Sequence, residues 1–293
     1  MLVWLAIAKS TYSAWLKRYA MNSLIPRNHW FLVTKMQAIV ALHHRNPIEG
    51  YRRLSYKMLD ANVVTASGSS VCWVLKAAGV LDSWQAKSSK KGTVFEQSLA
   101  PNDHWHTDVS YINVAGTFYN FCSVLDWFSR YILSWEIRES VKEEEIEIIL
   151  QRAQERFPQS TPHVISENGP QFIAKGFKEF IRFSSITLVC TSPYYPQSNG
   201  KIERFHKSLK TECVREQSFN TTEEAKKVVA VYVFQYNEQS LHSNIGNITP
   251  LLKLNGEDVA TFAEGKEKLA AARIARKEMR LTKHGFGGLS ASG

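Results

Sequence analysis

From His104 onward the sequence alternates instead of stepping. His104–Val114, Thr117–Asp126 and Ser129–Ile137 are rich in Tyr, Phe, Trp, Val and Ile, with Ala115-Gly116 and Trp127-Phe128 between them. Such residues suit a pleated, half-buried surface, and short turns join neighbours, so the stretch predicts a three-stranded antiparallel meander. The period then changes. Ile146, Ile149, Leu150 and Ala153 recur at helical spacing within Glu143–Phe157. His163–Ser166 reads as a short strand, Pro170–Phe183 as a helix and Thr187–Cys190 as a strand. From Asn199 to about Arg215 a further helix carries Ile202, Phe205, Leu209 and Cys213 on one stripe. Thr221-Thr222-Glu223-Glu224 is a capping box that opens another helix, ending near Asn237. Three strands followed by alternating helix and strand predict an α/β core, a five-stranded mixed sheet flanked by helices.

Upstream, residues 1–81 read as short helices. Met36–His44 stops before Pro47. Gly50-Tyr51-Arg52-Arg53-Leu54 opens a second helix to about Leu59, with Tyr51, Leu54 and Met58 on one stripe. Ser69-Ser70 caps a third, carrying Val71, Val74, Leu75 and Ala78, and Gly79 ends it. With Arg52, Arg53 and Lys57 expected at the surface, the region suits a helix-turn-helix unit that holds DNA; a plain helical subdomain with solvated arginines has the same pattern. Residues 82–103, with Lys87, Lys90, Lys91, Gly92 and Pro101, read as a basic linker. Glu264–Lys283 is a charged, mostly basic tail before a Gly/Ser-rich end. The expected division is 1–81 helical, 82–103 linker, 104–256 α/β core and 257–293 basic helical tail.

The net charge of +9 adds an affinity for polyanions, nucleic acid first among them, without deciding for it. The apolar start, Met1–Ala8, is too short to span a bilayer, is followed by Lys9 and Lys17, and lacks a convincing cleavage site. It reads as a clipped helix, and the expected compartment is the cytoplasm. Cys72, Cys122, Cys190 and Cys213 are scattered, which suits small core residues in a reducing compartment better than zinc ligands.

Candidate chemistry begins on the first strand. His104, His106, Asp108 and Ser110 share one face, opposite Trp105, Thr107, Val109 and Tyr111, and a polar face on a central strand calls for a reason. Glu167 follows the fourth strand directly, in Ser166-Glu167-Asn168-Gly169. Glu203 lies one turn into the helix from Asn199. With Lys207 and Lys210 it forms a stripe beside the apolar one, and His206 lies next to it. Taken alone, that stripe fits a solvated Glu-to-Lys face as well as a carboxylate ligand flanked by phosphate-binding cations. Asp126 reads as a turn residue pairing with Arg130. His104 and His106 read as groups that support the carboxylates or face DNA; no spacing supports zinc.

In order, Trp105-His106-Thr107-Asp108-Val109-Ser110-Tyr111-Ile112, Val124-Leu125-Asp126-Trp127-Phe128-Ser129-Arg130, Asn168-Gly169-Pro170-Gln171-Phe172 and Ser192-Pro193-Tyr194-Tyr195-Pro196-Gln197-Ser198-Asn199-Gly200-Lys201-Ile202-Glu203-Arg204-Phe205 resemble the integrase core of bacterial insertion-sequence transposases. The likeness is to the second-reading-frame proteins of the IS-three group, kin to retroviral integrases. Tyr236-Asn237, Leu241-His242-Ser243 and Thr249-Pro250 resemble the family's closing segment, and Gly50–Leu54 its upstream helix-turn-helix. Glu203 follows Glu167 with 35 residues between them.

The resemblance implies a ribonuclease-H-like fold preceded by a small helical domain, and a DNA transposase that cleaves strands and transfers them to a target. Asp108, Glu167 and Glu203 would be the catalytic triad, holding two Mg²⁺ or Mn²⁺ ions roughly 3.5–4 Å apart that clamp an in-line displacement. Asn199, Lys207, Lys210, Arg52 and Arg53 would hold DNA. The partners implied are double-stranded DNA (element ends and target), further copies of the chain on that DNA, and an upstream-frame helix-turn-helix protein; the place implied is the bacterial nucleoid. The sequence departs from the family at Glu167, where the pattern has Asp, at Ser240, where Arg is usual, and at Asn247, where Tyr is usual. One extra methylene carries the Glu167 carboxylate about 1.5 Å further out, which predicts a catalytically weakened copy or an inactive DNA-binding remnant. A ribonuclease on the same fold is the remaining reading, which the linear motifs disfavour.

Overall fold

The computed structural model describes residues 33–81, 98–166, 169–184, 186–190 and 200–285. Two compact units, residues 1–83 and 84–293, account for the chain. In the first, helices α1 (Val33–Arg45), α2 (Tyr51–Asp60) and α3 (Gly68–Ala77) enclose Ile39, Leu54, Met58, Val64, Val71, Val74 and Leu75. The cap of α3 is Ser67, two residues before the expected Ser69-Ser70. Ser67 takes the extended conformation a capping residue needs, and its Oγ accepts the Ser70 N–H at 3.2 Å. Gly79, at a φ of +69°, stops the helix as expected.

In the second unit, β1 (His104–Val114) and β2 (Thr117–Asp126) form a hairpin, and β3 (Ile132–Arg138) pairs antiparallel with β2. Ala115 and Gly116 both have positive φ (49° and 87°), the geometry that matches a two-residue turn to the twist of its strands. Helix α4 (Glu143–Arg156) leads to β4 (His163–Ser166), parallel to β1. Helices α5 (Pro170–Ile173) and α6 (Lys175–Phe183) lead to β5 (Thr187–Cys190), parallel to β4. The order β3-β2-β1-β4-β5 makes β1 the central strand. Then come α7 (Gly200–Leu209), continued by one π turn over Lys210–Val214, α8 (Thr222–Glu238), α9 (Pro250–Leu254) and α10 (Asp258–Gly285). Among the described residues no helix is long and apolar enough to cross a membrane.

The alternation of β1 feeds two cores. Trp105 joins Cys122, Val124, Leu133, Ile146, Leu150, Phe172 and Phe177 on the α4–α6 side. Ile112 and Val114 join Phe121, Leu125, Ile202, Phe205, Leu209, Val229 and Tyr236 on the α7–α8 side. Each fully buried aromatic contributes about 1.5–3 kcal/mol relative to exposure. Two boundaries differ from the sequence reading, both for local reasons. The helix expected over Pro170–Phe183 breaks at Ala174, which is extended (φ −60°, ψ 150°). Phe172 and Phe177, five residues apart, would lie about 140° apart on one continuous helix; the break lets both be buried, edge to face at 5.7 Å. The third strand starts at Ile132 instead of Ser129, because Ser129 is committed to Asp126 and Arg130 has a φ of +67°.

Candidate active site

Asp108 lies mid-way along β1, on the face covered by α7. Antiparallel register sets it opposite Ser123, so the two side chains rise on the same side of the sheet. One Asp108 oxygen, Oδ1, accepts the Val109 N–H at 2.8 Å; the other, Oδ2, lies 3.3 Å from His206 Nδ1. His206 is buried, and its Nε2 is 2.9 Å from the Ser123 hydroxyl. Helix α7 is therefore anchored on the β1–β2 ladder by a polar contact within an otherwise apolar interface of Ile202, Phe205 and Leu209. Glu203 precedes His206 by three positions, so both lie on one side of α7, and Glu203 is exposed. The structure thus brings the Glu203 face of the helix alongside Asp108.

The third carboxylate, Glu167, lies outside the described residues, as does Asn199. Strand β4 ends at Ser166, paired with Thr107, one position short of Asp108. Among the described residues no cluster of three His, Cys, Asp or Glu side chains is assembled for a metal. The donor chemistry at Asp108 nevertheless suits a hard cation: among the described residues Oδ1 accepts one hydrogen bond and Oδ2 faces the His206 ring at 3.3 Å, which leaves lone pairs on both oxygens.

Asp126 is a carboxylate of another kind. It is fully buried. Oδ1 accepts the Asn102 N–H at 2.8 Å, and Oδ2 accepts both the N–H and the hydroxyl of Ser129. Burial raises its carboxyl above the ordinary range, against the pull of those donors. The expected pairing with the Arg130 side chain is replaced by this cage; Arg130 contributes its backbone N–H to the Asp126 carbonyl, at 2.8 Å. Nor does His106 face DNA: it is fully buried, stacked on Trp127 at 4.2 Å. His104 pairs with Asp103 at 3.0 Å and stacks on His163.

Cations divide in the same way. Lys207 is exposed on the Glu203 side of α7 and Lys210 is half-buried; neither is drawn into an ion pair among the described residues. Arg52 and Arg53 belong to the other unit. Arg52 is exposed, whereas Arg53 and Lys57 are both held by Glu49, at 3.8 and 2.6 Å. Three contacts had no legible signal in the sequence. Lys201, at the start of α7, donates to the Trp127 carbonyl at 2.7 Å with its Nζ 3.7 Å from the Trp127 ring centre. Burial and the nearby Arg130 charge push Lys201 down to about 7, with Asp126 opposing. Asn237 accepts from the Ile132 N–H and donates to the Ile132 carbonyl, closing the edge of β3 from α8. His206 is the third.

Residues 98–196 match one integrase core domain model and residues 184–250 another, so that the two run over just over half of the 293 residues. The chain belongs to the integrase-core family of insertion-sequence transposases. An uncharacterised transposase-like protein of Haemophilus influenzae is 24% identical over 52% of this chain and 70% of its own length. An uncharacterised 31.7 kDa protein of insertion element IS407 of Burkholderia multivorans is 24% identical over 72% of this chain and 77% of its own. The putative transposase InsK for IS150 of Escherichia coli is 25% identical over 53% of this chain and 55% of its own. Among solved structures, a chain of the simian T-cell lymphotropic virus intasome in complex with the PP2A regulatory subunit B56 gamma aligns over 74% of both chains, with a TM-score of 0.50 and 19% identity. At that identity the likeness speaks for the fold alone. The integrase core here is a ribonuclease-H-like mixed sheet with helices on both faces and a small helical unit upstream.

Proposed function

We propose that this integrase core cuts and joins double-stranded DNA at the ends of an insertion element, with Asp108, Glu167 and Glu203 as its catalytic carboxylates. The observation that supports it most is the contact between His206 and Asp108, which joins the strand bearing one carboxylate to the helix face bearing another. The family is divalent-metal dependent, and the three carboxylates are the residues that would hold two Mg²⁺ or Mn²⁺ ions. Ions bound there supply the charge that activates water or a DNA 3′-hydroxyl toward a phosphodiester and stabilises the leaving oxygen. The chain's own part is positional. Asp108 is fixed from two sides, Glu203 is presented to solvent, and Lys207 and Lys210 further along the stripe hold phosphates, with Asn199 at the helix start. Arg52, and Arg53 to the extent Glu49 releases it, would add contacts from the helical unit at residues 1–81. The lysines contribute salt-dependent affinity and no sequence preference. On this reading several copies assemble on the element ends, in the cytoplasm at the nucleoid.

The test is cleavage of a labelled duplex carrying the element's end, in Mg²⁺ and in Mn²⁺. Asp108→Asn and Glu203→Gln are each expected to lower cleavage by about a thousandfold, roughly 4 kcal/mol of transition-state stabilisation. Wild-type rates in both variants would remove the assignment.

A further inference from the structure

We infer that His206 is a positioning residue: it fixes the Asp108 carboxylate and locks it to the helix that carries Glu203. The inference rests on Asp108 being a metal ligand, as proposed above. A carboxylate that holds a cation can only accept, so toward Oδ2, 3.3 Å away, His206 Nδ1 is the group that presents a proton. Nε2, on the other edge of the ring, is hydrogen-bonded to the Ser123 hydroxyl at 2.9 Å, which donates to a neutral imidazole and accepts from a protonated one. Ser123 is fully buried on β2, opposite Asp108 on β1. The ring has no latitude. Phe121 meets it edge-on at 5.6 Å, and Phe205 lies 5.7 Å away. Ser123 thus sets the tilt of the imidazole, and the imidazole sets the direction of Oδ2, while the Val109 N–H sets that of Oδ1.

A purely apolar helix–sheet contact would hold α7 near β1 but would leave the carboxylate free to swing about its side-chain torsions. Hydrogen-bonded partners outside the ligand set orient ligands, and their loss lowers metal affinity by about 10- to 100-fold. The same helix is tied down on the other side of Glu203 by Lys201, through the Trp127 carbonyl and ring. Glu203 therefore sits between two fixed points, and its separation from Asp108 is set by the fold before any cation arrives.

The experiment measures Mn²⁺ binding to the full chain by the electron paramagnetic resonance of free Mn²⁺, with unfolding temperatures in chelator as the folding control. His206→Phe keeps the packing and loses the donor; its dissociation constant for Mn²⁺ is expected to rise at least about tenfold. His206→Asn offers an amide N–H about where Nδ1 stood and is expected to stay within about threefold of wild type. His206→Gln keeps the Ser123 contact but not the Asp108 one, and is expected to bind as weakly as the Phe variant; it carries the test if His206→Phe does not fold. Wild-type Mn²⁺ affinity in the folded Phe or Gln variant overturns the inference, as does equal weakness in Asn and Phe. Asp108→Asn separates the two levels. If it binds Mn²⁺ like wild type, the metal site itself is misassigned; if it alone loses Mn²⁺, only the role of His206 falls.

Discussion

Asp108 and Asp126 lie on the two strands of one hairpin and face opposite fates. At the β2–β3 turn, Asp126 is sealed from solvent and receives three donors, two from Ser129 and one from Asn102. Midway along β1, Asp108 keeps some exposure and receives one, a backbone N–H, with an imidazole 3.3 Å from its other oxygen. A carboxylate whose lone pairs are spent on backbone and hydroxyl donors is a structural joint. One that retains lone pairs, and faces a side chain from another element, has capacity left for a cation, which is the role proposed for it. Residue type does not distinguish the two; the surroundings do.

The largest expected effect comes from exchanging the damage. Asp126→Ala strands three buried donors, and at about 1–3 kcal/mol for each unsatisfied group the integrase core should lose about 3 kcal/mol or more in chemical denaturation. Asp108→Asn should leave stability in chelator near that of wild type while abolishing metal-dependent cleavage. If Asp108→Asn unfolds the protein and Asp126→Ala merely slows cleavage, the two roles are reversed.

Glu167 offers a second lever. The resembled motif has Asp there, so Glu167→Asp should raise strand cleavage by at least about tenfold, which needs only about 1.4 kcal/mol, with Mn²⁺ partly rescuing the wild type. A wild type that already cuts as well as the variant would make glutamate a competent ligand and end the idea of a weakened copy. A smaller effect belongs to the tail. Log affinity for duplex DNA should fall with log salt by about 0.9 per phosphate contact, and removing residues 264–293, several of whose lysines and arginines lie on α10, should make that slope shallower. An unchanged slope would assign the phosphate contacts to the core instead, Lys207 and Lys210 first.

The fold was largely legible because period is a local property. The alternation of β1, the His163–Ser166 and Thr187–Cys190 strands and the Thr221 cap all appear in the structure with nearly the expected bounds, although the Glu224 carboxylate that should complete a capping box takes the Asn220 N–H instead of that of Thr221. What was not legible depends on pairs distant in sequence. Ser123 and His206 are 83 positions apart, Trp127 and Lys201 are 74, and Ile132 and Asn237 are 105. No spacing rule links such residues until strand register and helix docking bring them together. Asp126 shows the same limit at short range: Asp and Arg four apart suggest an ion pair, but the turn's geometry gives the carboxylate to Ser129. The break at Ala174 was hidden because helix propensity does not register where two phenylalanines must both find the core.

Glu136 supplies the finest test of the rule that surroundings decide. It sits on edge strand β3, largely buried, and its charge is answered by cations instead of amides: Lys226 of α8 at 2.8 Å, Arg152 of α4 at 2.9 Å and Arg138 at 3.8 Å. Burial alone would raise its carboxyl, but the Lys226 and Arg152 hydrogen bonds and the charges around it hold it below the ordinary value of 4.5. Because the folded state binds this proton less readily than the unfolded state, the contribution to stability is fully present above about pH 4.5 and is lost as pH falls through the lower folded value. Asp126, raised by burial, has the opposite sign: on its account stability falls as pH rises through the window above its ordinary value of 3.8. Glu136→Gln should therefore lower the unfolding temperature at pH 7 by a few degrees. That corresponds to about 1 kcal/mol in a core of this size, modest because Lys226 and Arg152 are themselves partly exposed. The gap from wild type should close as the pH is brought below 4. A gap that stays constant down to pH 3 would mean Glu136 contributes through packing and not through charge, and the cation triad around it would carry no stability of its own.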